Sequence, residues 1–181
     1  MLTIQAHPSS SYAPRTYINA QQADLTVAFA VDYSTAGERL THKAAKGRYV
    51  AIPLGGDPIE AARSLYRALR HHKARSLNVA GNGIYTLAKA GWTQEAVNKW
   101  VYQVLAQTSA HWPLEAVRSG GQTGVDLAGV VAAHALGLDA LALLPAGYLQ
   151  RHEDKVDRSR TRADLQECIE RYARHHRPGT G

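Results

Sequence analysis

The stretch RSGGQTGVDLAGVVAAHALG, residues 118–137, holds five glycines and ends in a run of small apolar residues. Glycines placed directly before a helical pattern allow a sharp turn and a close approach to the backbone. The small residues that follow are typical of a helix packed tightly against a sheet. This stretch therefore predicts a strand, a glycine-rich turn and a buried helix, and it sets the fold of the chain around it.

Apolar runs and helical patterns alternate on both sides of that stretch. The runs are nearly continuous, as expected for parallel strands that are covered on both faces. Strand–helix alternation is the signature of a parallel α/β sheet. We therefore predict a Rossmann-like three-layer α/β/α sandwich with a mainly parallel sheet of at least five strands. The predicted strands are 25–31, 49–54, 76–81, 114–120 and 140–145, and the predicted helices are 36–46, 58–73, 93–108, 124–137 and 159–175.

The length of 181 residues fits one domain. We assign that domain to residues 16–175, with a flexible extension at 1–15 and a flexible tail at 176–181. The chain has no apolar run long enough for a membrane span, its N-terminus does not resemble a signal peptide, and Cys168 cannot form an internal disulfide. A cytoplasmic location without a membrane partner is the expectation.

The net charge of +6 favours an anionic partner. The basic residues are dispersed along the chain, so a nucleic acid is less expected than a small phosphorylated ligand. The nine histidines include two adjacent pairs, but neither pair has carboxylates or cysteines at ligand spacing. The sequence therefore predicts no metal site.

Ligands of such sheets bind at the carboxyl ends of the strands. The first helical N–H groups and the helix dipole after the glycine turn favour an anion. A phosphate is therefore one interpretation of this loop. The other is that Thr123 and Asp126 form a capping box that satisfies the same N–H groups. The candidate phosphate-binding residues are Ser119, Gly120, Gly121, Gln122, Thr123 and Gly124, with Asp126 as a ribose or base contact.

Two further turns follow predicted strands and are rich in small or polar residues. Thr35 and Glu38 have capping-box spacing, and Gly37 between them permits close approach. Gly81, Asn82 and Gly83 allow a sharp turn or a ligand near the main chain, although forming turns is the commoner role of asparagine there. Thr35 and Asn82 are candidate ribose or base contacts.

The segments SGGQTGVDLAG, LNVAG and ADLTVAFAVDYSTAGERLTHKAAKGRYVAIPL together resemble the SLOG superfamily of Rossmann-like proteins. The likeness is nearest to the molybdenum-cofactor carrier branch, with its segments in rotated order, as in a circular permutation. The resemblance implies that a nucleotide or nucleotide-like ligand binds through the glycine loop. Similar proteins cleave N-glycosidic bonds, sense NAD-derived molecules or bind single-stranded DNA.

The chain departs from these relatives at two positions. Leu127 stands where the cleaving branch has its glutamate, so Asp126 and Glu38 are the remaining candidates for an acid–base residue. Ala146 stands where the carrier branch has a basic residue, and Arg151 or Lys155 could replace it.

We therefore predict a protein that binds a phosphorylated nucleotide or nucleotide-derived small molecule as a carrier, sensor or sequestering protein. The alternatives are a nucleotide or nucleoside N-glycosidase and a single-stranded DNA-binding protein. No cofactor is fixed by the sequence, and the ligand is expected to be a nucleotide, an NAD-derived nucleotide or the molybdenum cofactor. We also expect a homo-oligomer, because the stretch around one helix carries more apolar positions than a single face needs; the alternative is a helix buried within one subunit. These positions are Trp92, Val97, Trp100, Val101, Val104 and Leu105.

Overall fold

A computed structural model describes residues 1–176 and shows a six-stranded sheet in which every pairing is parallel. The strand order is β1-β6-β5-β4-β2-β3. The predicted Rossmann-like α/β class is confirmed. The strands are β1 (Leu2–Ala6), β2 (Leu25–Ala30), β3 (Tyr49–Pro53), β4 (Ser76–Gly81), β5 (Ala116–Ser119) and β6 (Asp139–Leu144).

Helices cover both faces of this sheet. The first two helices of the chain pack against each other on one face. The third, fifth, sixth and seventh helices pack in series on the other face. A short antiparallel hairpin follows β6. The helices are α1 (Tyr12–Gln21), α2 (Ala36–Ala45), α3 (Pro58–His72), α4 (Ile84–Lys89), α5 (Gln94–His111), α6 (Val125–Ala135) and α7 (Arg162–Arg174), and the hairpin strands are β7 (Gln150–Arg151) and β8 (Asp157–Arg158).

The small residues of α6 bring this helix very close to the sheet. A side chain at Gly129 would place its Cβ 2.7 Å from the Val79 side chain of β4. The helix is buried from Val125 to Ala133, and all of β2 is buried too. Close packing explains why these segments consist mostly of small and apolar residues.

The start of the chain is part of the fold, so the predicted flexible extension at residues 1–15 is wrong. Strand β1 pairs with β6 from Leu2 to Ala6, and α1 begins at Tyr12. As an edge strand, β1 has one neighbour and only one buried residue, Ile4. Its apolar signal is correspondingly weak. In the predicted tail at 176–181, residues 177–181 lie outside the described residues.

Helix α5 buries its apolar positions within this one chain. It packs between α3 and α6, and Trp100 meets Phe29 of β2 edge-to-face with ring centroids 5.2 Å apart. The side chains proposed to face another subunit are therefore used internally: Val97, Trp100, Val101, Val104 and Leu105 are buried and Trp92 packs against the same core. The expected homo-oligomer remains a prediction without support from this helix.

The strand order reverses between β2 and β4. From β2 the chain moves outward to β3, and after returning to β4 it moves the other way through β5 and β6. Ligands of open α/β sheets bind in the crevice at such a switch point, outside the carboxyl ends of the strands.

None of the helices within residues 1–176 has the length and apolarity to cross a membrane.

Candidate functional site

The three turns singled out in the sequence lie at one edge of the sheet. Strands β2, β4 and β5 run parallel side by side, so the turns that follow them meet at their carboxyl ends. This confirms that Thr35, Gly81 and Gly120 share an edge, and this edge contains the switch point.

Four N–H groups of the glycine loop, residues 119–124, interact with acceptors within the protein. The N–H groups of Gln122 and Gly120 interact with the Asp126 carboxylate and oppose the rise of its pKa. The N–H of Gly121 donates to Ser119 Oγ at 3.3 Å, and that of Gly124 donates to Gln94 Oε1 at 2.6 Å. These four groups thus interact with acceptors of the chain itself, and phosphate binding by the loop stays a prediction.

The loop glycines leave space for other parts of the same chain. A Cβ at Gly120 would lie 1.5 Å from Arg15 Nη1. Gly121 and Gly124 have φ angles of +67° and +94°, and a Cβ at Gly124 would lie 2.5 Å from the Asn82 carbonyl oxygen. The close approach predicted from the glycines is real, but it is made by protein atoms.

Helix α6 does not begin with the predicted capping box. Its N-cap is Gly124, which provides no side-chain bond, and the Thr123 hydroxyl donates instead to the Arg151 carbonyl. Asp126 turns back to the loop rather than to Thr123. The capping-box interpretation of Thr123 and Asp126 is thus wrong, because Thr123 is drawn to the hairpin and Asp126 to Arg15.

Arg15 of α1 forms a buried ion pair with Asp126. Arg15 Nη1 lies 3.5 Å from Asp126 Oδ2, and their side chains are only 8% and 12% exposed. Burial raises the pKa of Asp126 to about 6, against the opposing effects of Arg15 and the loop N–H groups. Sequence reasoning missed Arg15 because it lay in the presumed extension, and no motif marks it.

Glu38 is the second buried carboxyl at this edge. The Thr35 hydroxyl accepts the Glu38 N–H at 3.3 Å, as predicted for a cap. The Glu38 side chain is 3% exposed, and its Oε2 has no hydrogen-bond partner in the described chain. Burial, followed by the charges of Asp126 and Asp32, raises the pKa of Glu38 to about 8. The two predicted acid–base candidates are therefore within electrostatic reach of each other.

Asn82 braces the turn after β2. Its Oδ1 accepts the N–H groups of Val31 and Asp32 at 2.8 and 3.0 Å, and its Nδ2 donates to the Asp32 carbonyl at 2.9 Å. These bonds use the side chain that was predicted to contact ribose or base. Its neighbours differ: Gly81 is packed against Phe29 and Val125, whereas Gly83 is exposed.

The hairpin after β6 covers the glycine loop. Gln122 Nε2 donates to the Leu149 carbonyl and Gln150 Nε2 donates to the Gly121 carbonyl, each at 2.7 Å. Arg151 pairs with Asp157 at 2.8 Å, and Lys155 Nζ lies 5.2 Å from the Tyr85 ring centroid. Sequence reasoning did not predict this cover, since strands of two residues leave no periodic signal.

A six-stranded parallel sheet with helices on both faces defines a Rossmann-like α/β domain. The chain belongs to the circularly permutated YpsA SLOG family, whose model matches residues 2–105. The match includes β1 and the turns after β2 and β4, and it ends before the glycine loop. Both the SLOG assignment and the permutation are confirmed, and the likeness to molybdenum-cofactor carriers stays a prediction. No curated protein matches the chain.

Proposed function

We propose that the protein binds a nucleotide or nucleotide-derived small molecule at the carboxyl edge of the sheet, with its ribose hydroxyls on Glu38 and Asp126. The observation that carries this proposal is the orphaned Oε2 of Glu38, buried at the switch point. A buried polar atom without a partner is costly, and a ligand hydroxyl would satisfy it. Acidic residues recognise ribose in the same way in dinucleotide-binding folds.

The phosphates of this ligand lie at the rim rather than inside the glycine loop. The N–H groups of Gly121 and Gly124 are already bonded. Those of Gly120 and Gln122 interact with the Asp126 carboxylate, which would repel a phosphate placed there. Exposed backbone is available at Gly37 and Gly83. Beyond Gly83, Lys89 and Lys155 flank the Tyr85 ring at 4.1 and 5.2 Å and bring positive charge to this side. The protein then serves as a carrier, sensor or sequestering protein.

Calorimetric titration with AMP, NAD and ADP-ribose tests this proposal. Glu38→Gln should weaken binding of the preferred ligand by about tenfold, since an amide replaces the carboxyl that meets the hydroxyl. Glu115→Gln is the matched control, because Glu115 is exposed and precedes β5 at the opposite edge. Equal affinities in both variants, or no binding of any of the three compounds, would refute the proposal.

The pKa values favour one second candidate, a nucleotide N-glycosidase. With a pKa of about 8, Glu38 holds a proton at neutral pH, while Asp126 at about 6 is largely ionised. Glu38 could protonate the leaving base as the bond to C1′ breaks, and Asp126 could stabilise the sugar cation or activate the attacking water. The products would be a free base and ribose 5-phosphate.

Incubating AMP with the protein and measuring free adenine by chromatography separates the two functions. A hydrolase should release adenine with a bell-shaped pH profile whose limbs fall near the two carboxyl pKa values. Binding of AMP without adenine release would leave only the carrier or sensor role.

A further inference from the structure

A cleft of about 410 Å³ lies on the other side of the glycine loop, between the hairpin and α7. Thr123 and Gln94 line its inner wall, and Tyr172 and Cys168 line the wall formed by α7. The volume is within the range of small-molecule sites. Neither Glu38 nor Asp126, the carboxyl pair of the proposed nucleotide site, lines this cleft.

Two guanidinium groups face the cleft near Cys168. Burial raises the pKa of the Cys168 thiol, and the charges of both Arg171 and Arg160 oppose that shift, so both lie close to this side chain. Within residues 1–176, neither arginine forms an ion pair with a carboxylate. Paired arginines without carboxylate partners suit a phosphate, which they bind through forked hydrogen bonds.

A buried amide holds one of these arginines in place. Gln150 is 1% exposed, and its Nε2 donates to the Gly121 carbonyl at 2.7 Å. Its Oε1 accepts from Arg160 Nη1 at 3.2 Å. Arg160 is thereby fixed from the interior before any ligand arrives, which lowers the entropic cost of binding.

The cleft also carries negative charge. Glu153, Glu167 and Asp164 line it, and Asp164 is engaged with Thr161 in the cap of α7. Glu153 and Glu167 remain to meet a cation. A ligand with only negative charge would be repelled by them, whereas one with charges of both signs would match the cleft.

We propose that this cleft is a separate binding site for a small zwitterion, with a phosphate monoester held by Arg160 and Arg171 and an amino group held by Glu153 and Glu167. The site does not depend on the carboxyl pair at the switch point. A bound ligand would be linked to the glycine loop through Gln150 and Thr123, which line the cleft; Gln150 also bonds to the Gly121 carbonyl of the loop.

Phosphoethanolamine is the probe, because it is a small molecule with both charges, and Cys168 is the reporter, because it is the single cysteine of the chain. The concentration that half-protects Cys168 from alkylation by iodoacetamide is measured by mass spectrometry. Ethanolamine and inorganic phosphate, which each supply one charge, should protect only at much higher concentration.

Arg160→Gln and Arg171→Gln should each raise the half-protecting concentration about tenfold. Arg174→Gln is the matched control, an exposed arginine of the same helix that does not line the cleft. Glu38→Gln should leave protection unchanged, which separates this site from the proposed nucleotide site. Absence of protection, or protection that is unchanged in both arginine variants, would overturn the proposal. Equal protection by inorganic phosphate would overturn the assignment of a zwitterion.

Discussion

The turn after β2 and the glycine loop after β5 both join a strand to a helix at the same edge, yet they serve different ends. In the first, a Cβ at Gly37 would have nothing within 4 Å, and the helix begins with an ordinary threonine cap. In the second, the glycines are packed against Arg15, Leu144 and Asn82. The glycine-rich loop is therefore packed inside the protein, whereas the plainer turn after β2 leads into a helix whose first residues are exposed to solvent.

Arg15→Met should destabilise the glycine loop most strongly, because it leaves the Asp126 carboxylate buried without its cation. We expect the free energy of unfolding to fall by about 3–5 kcal/mol. Arg39→Met, at an exposed position near the start of α2, should change it by about 0.5 kcal/mol or less. Urea denaturation of both variants gives the comparison, and similar losses in the two would show that the glycine loop is no more internal than the turn after β2.

Glu38→Gln should reveal the buried carboxyl through the pH dependence of stability. The pKa of Glu38 is raised from 4.5 to about 8 in the folded protein, so wild-type stability falls as pH rises through that window. Glutamine does not ionise, and the variant should gain stability relative to wild type by up to about 5 kcal/mol at the alkaline end. The raised pKa of Asp126 also lowers the stability of the folded protein as pH rises towards about 6, but it does so in both proteins. Urea unfolding across this range should show the two curves diverging, and parallel curves would contradict the assignment.

Two glycine substitutions give the smallest and most direct comparison. Gly124→Ala combines a φ of +94° with a backbone collision and should cost about 2–4 kcal/mol. Gly37→Ala lies in open space in a helix and should be neutral or stabilise by up to about 1 kcal/mol. Thermal unfolding of the pair measures the difference. A tolerated Gly124→Ala would mean that the loop has freedom to admit a ligand.

The sheet was predictable where strands are buried on both faces. The runs at 25–30 and 76–81 match the predicted strands closely, because strands buried on both faces favour mostly apolar sequence. Strand β1 was not predictable in this way, since an edge strand with one buried residue carries little pattern. The hairpin is held by side-chain amides rather than by periodic packing, and such bonds cannot be read from spacing.

The site was only partly predictable for a related reason. Asp126 and Glu38 could be named because both follow strands of a parallel sheet, and topology brings such residues to one edge. Their partners could not be named, since Arg15 comes from the other end of the chain and reaches Asp126 across 111 positions. Sequence spacing alone cannot distinguish a carboxylate that caps a helix from one that pairs with a distant arginine.

Because the backbone amides of Gly120 and Gln122 interact with Asp126, their NMR signals should respond to the protonation of this one carboxyl group. When Asp126 gains its proton, both acceptor oxygens lose charge at once, and the two amide protons should resonate upfield together. In a ¹⁵N-edited NMR titration, these amides should share a single midpoint near pH 6, the pKa of Asp126. A bound ligand that alters the carboxyl pair would displace that midpoint, so the protonation state of Asp126 can be followed without a chemical probe or a substitution.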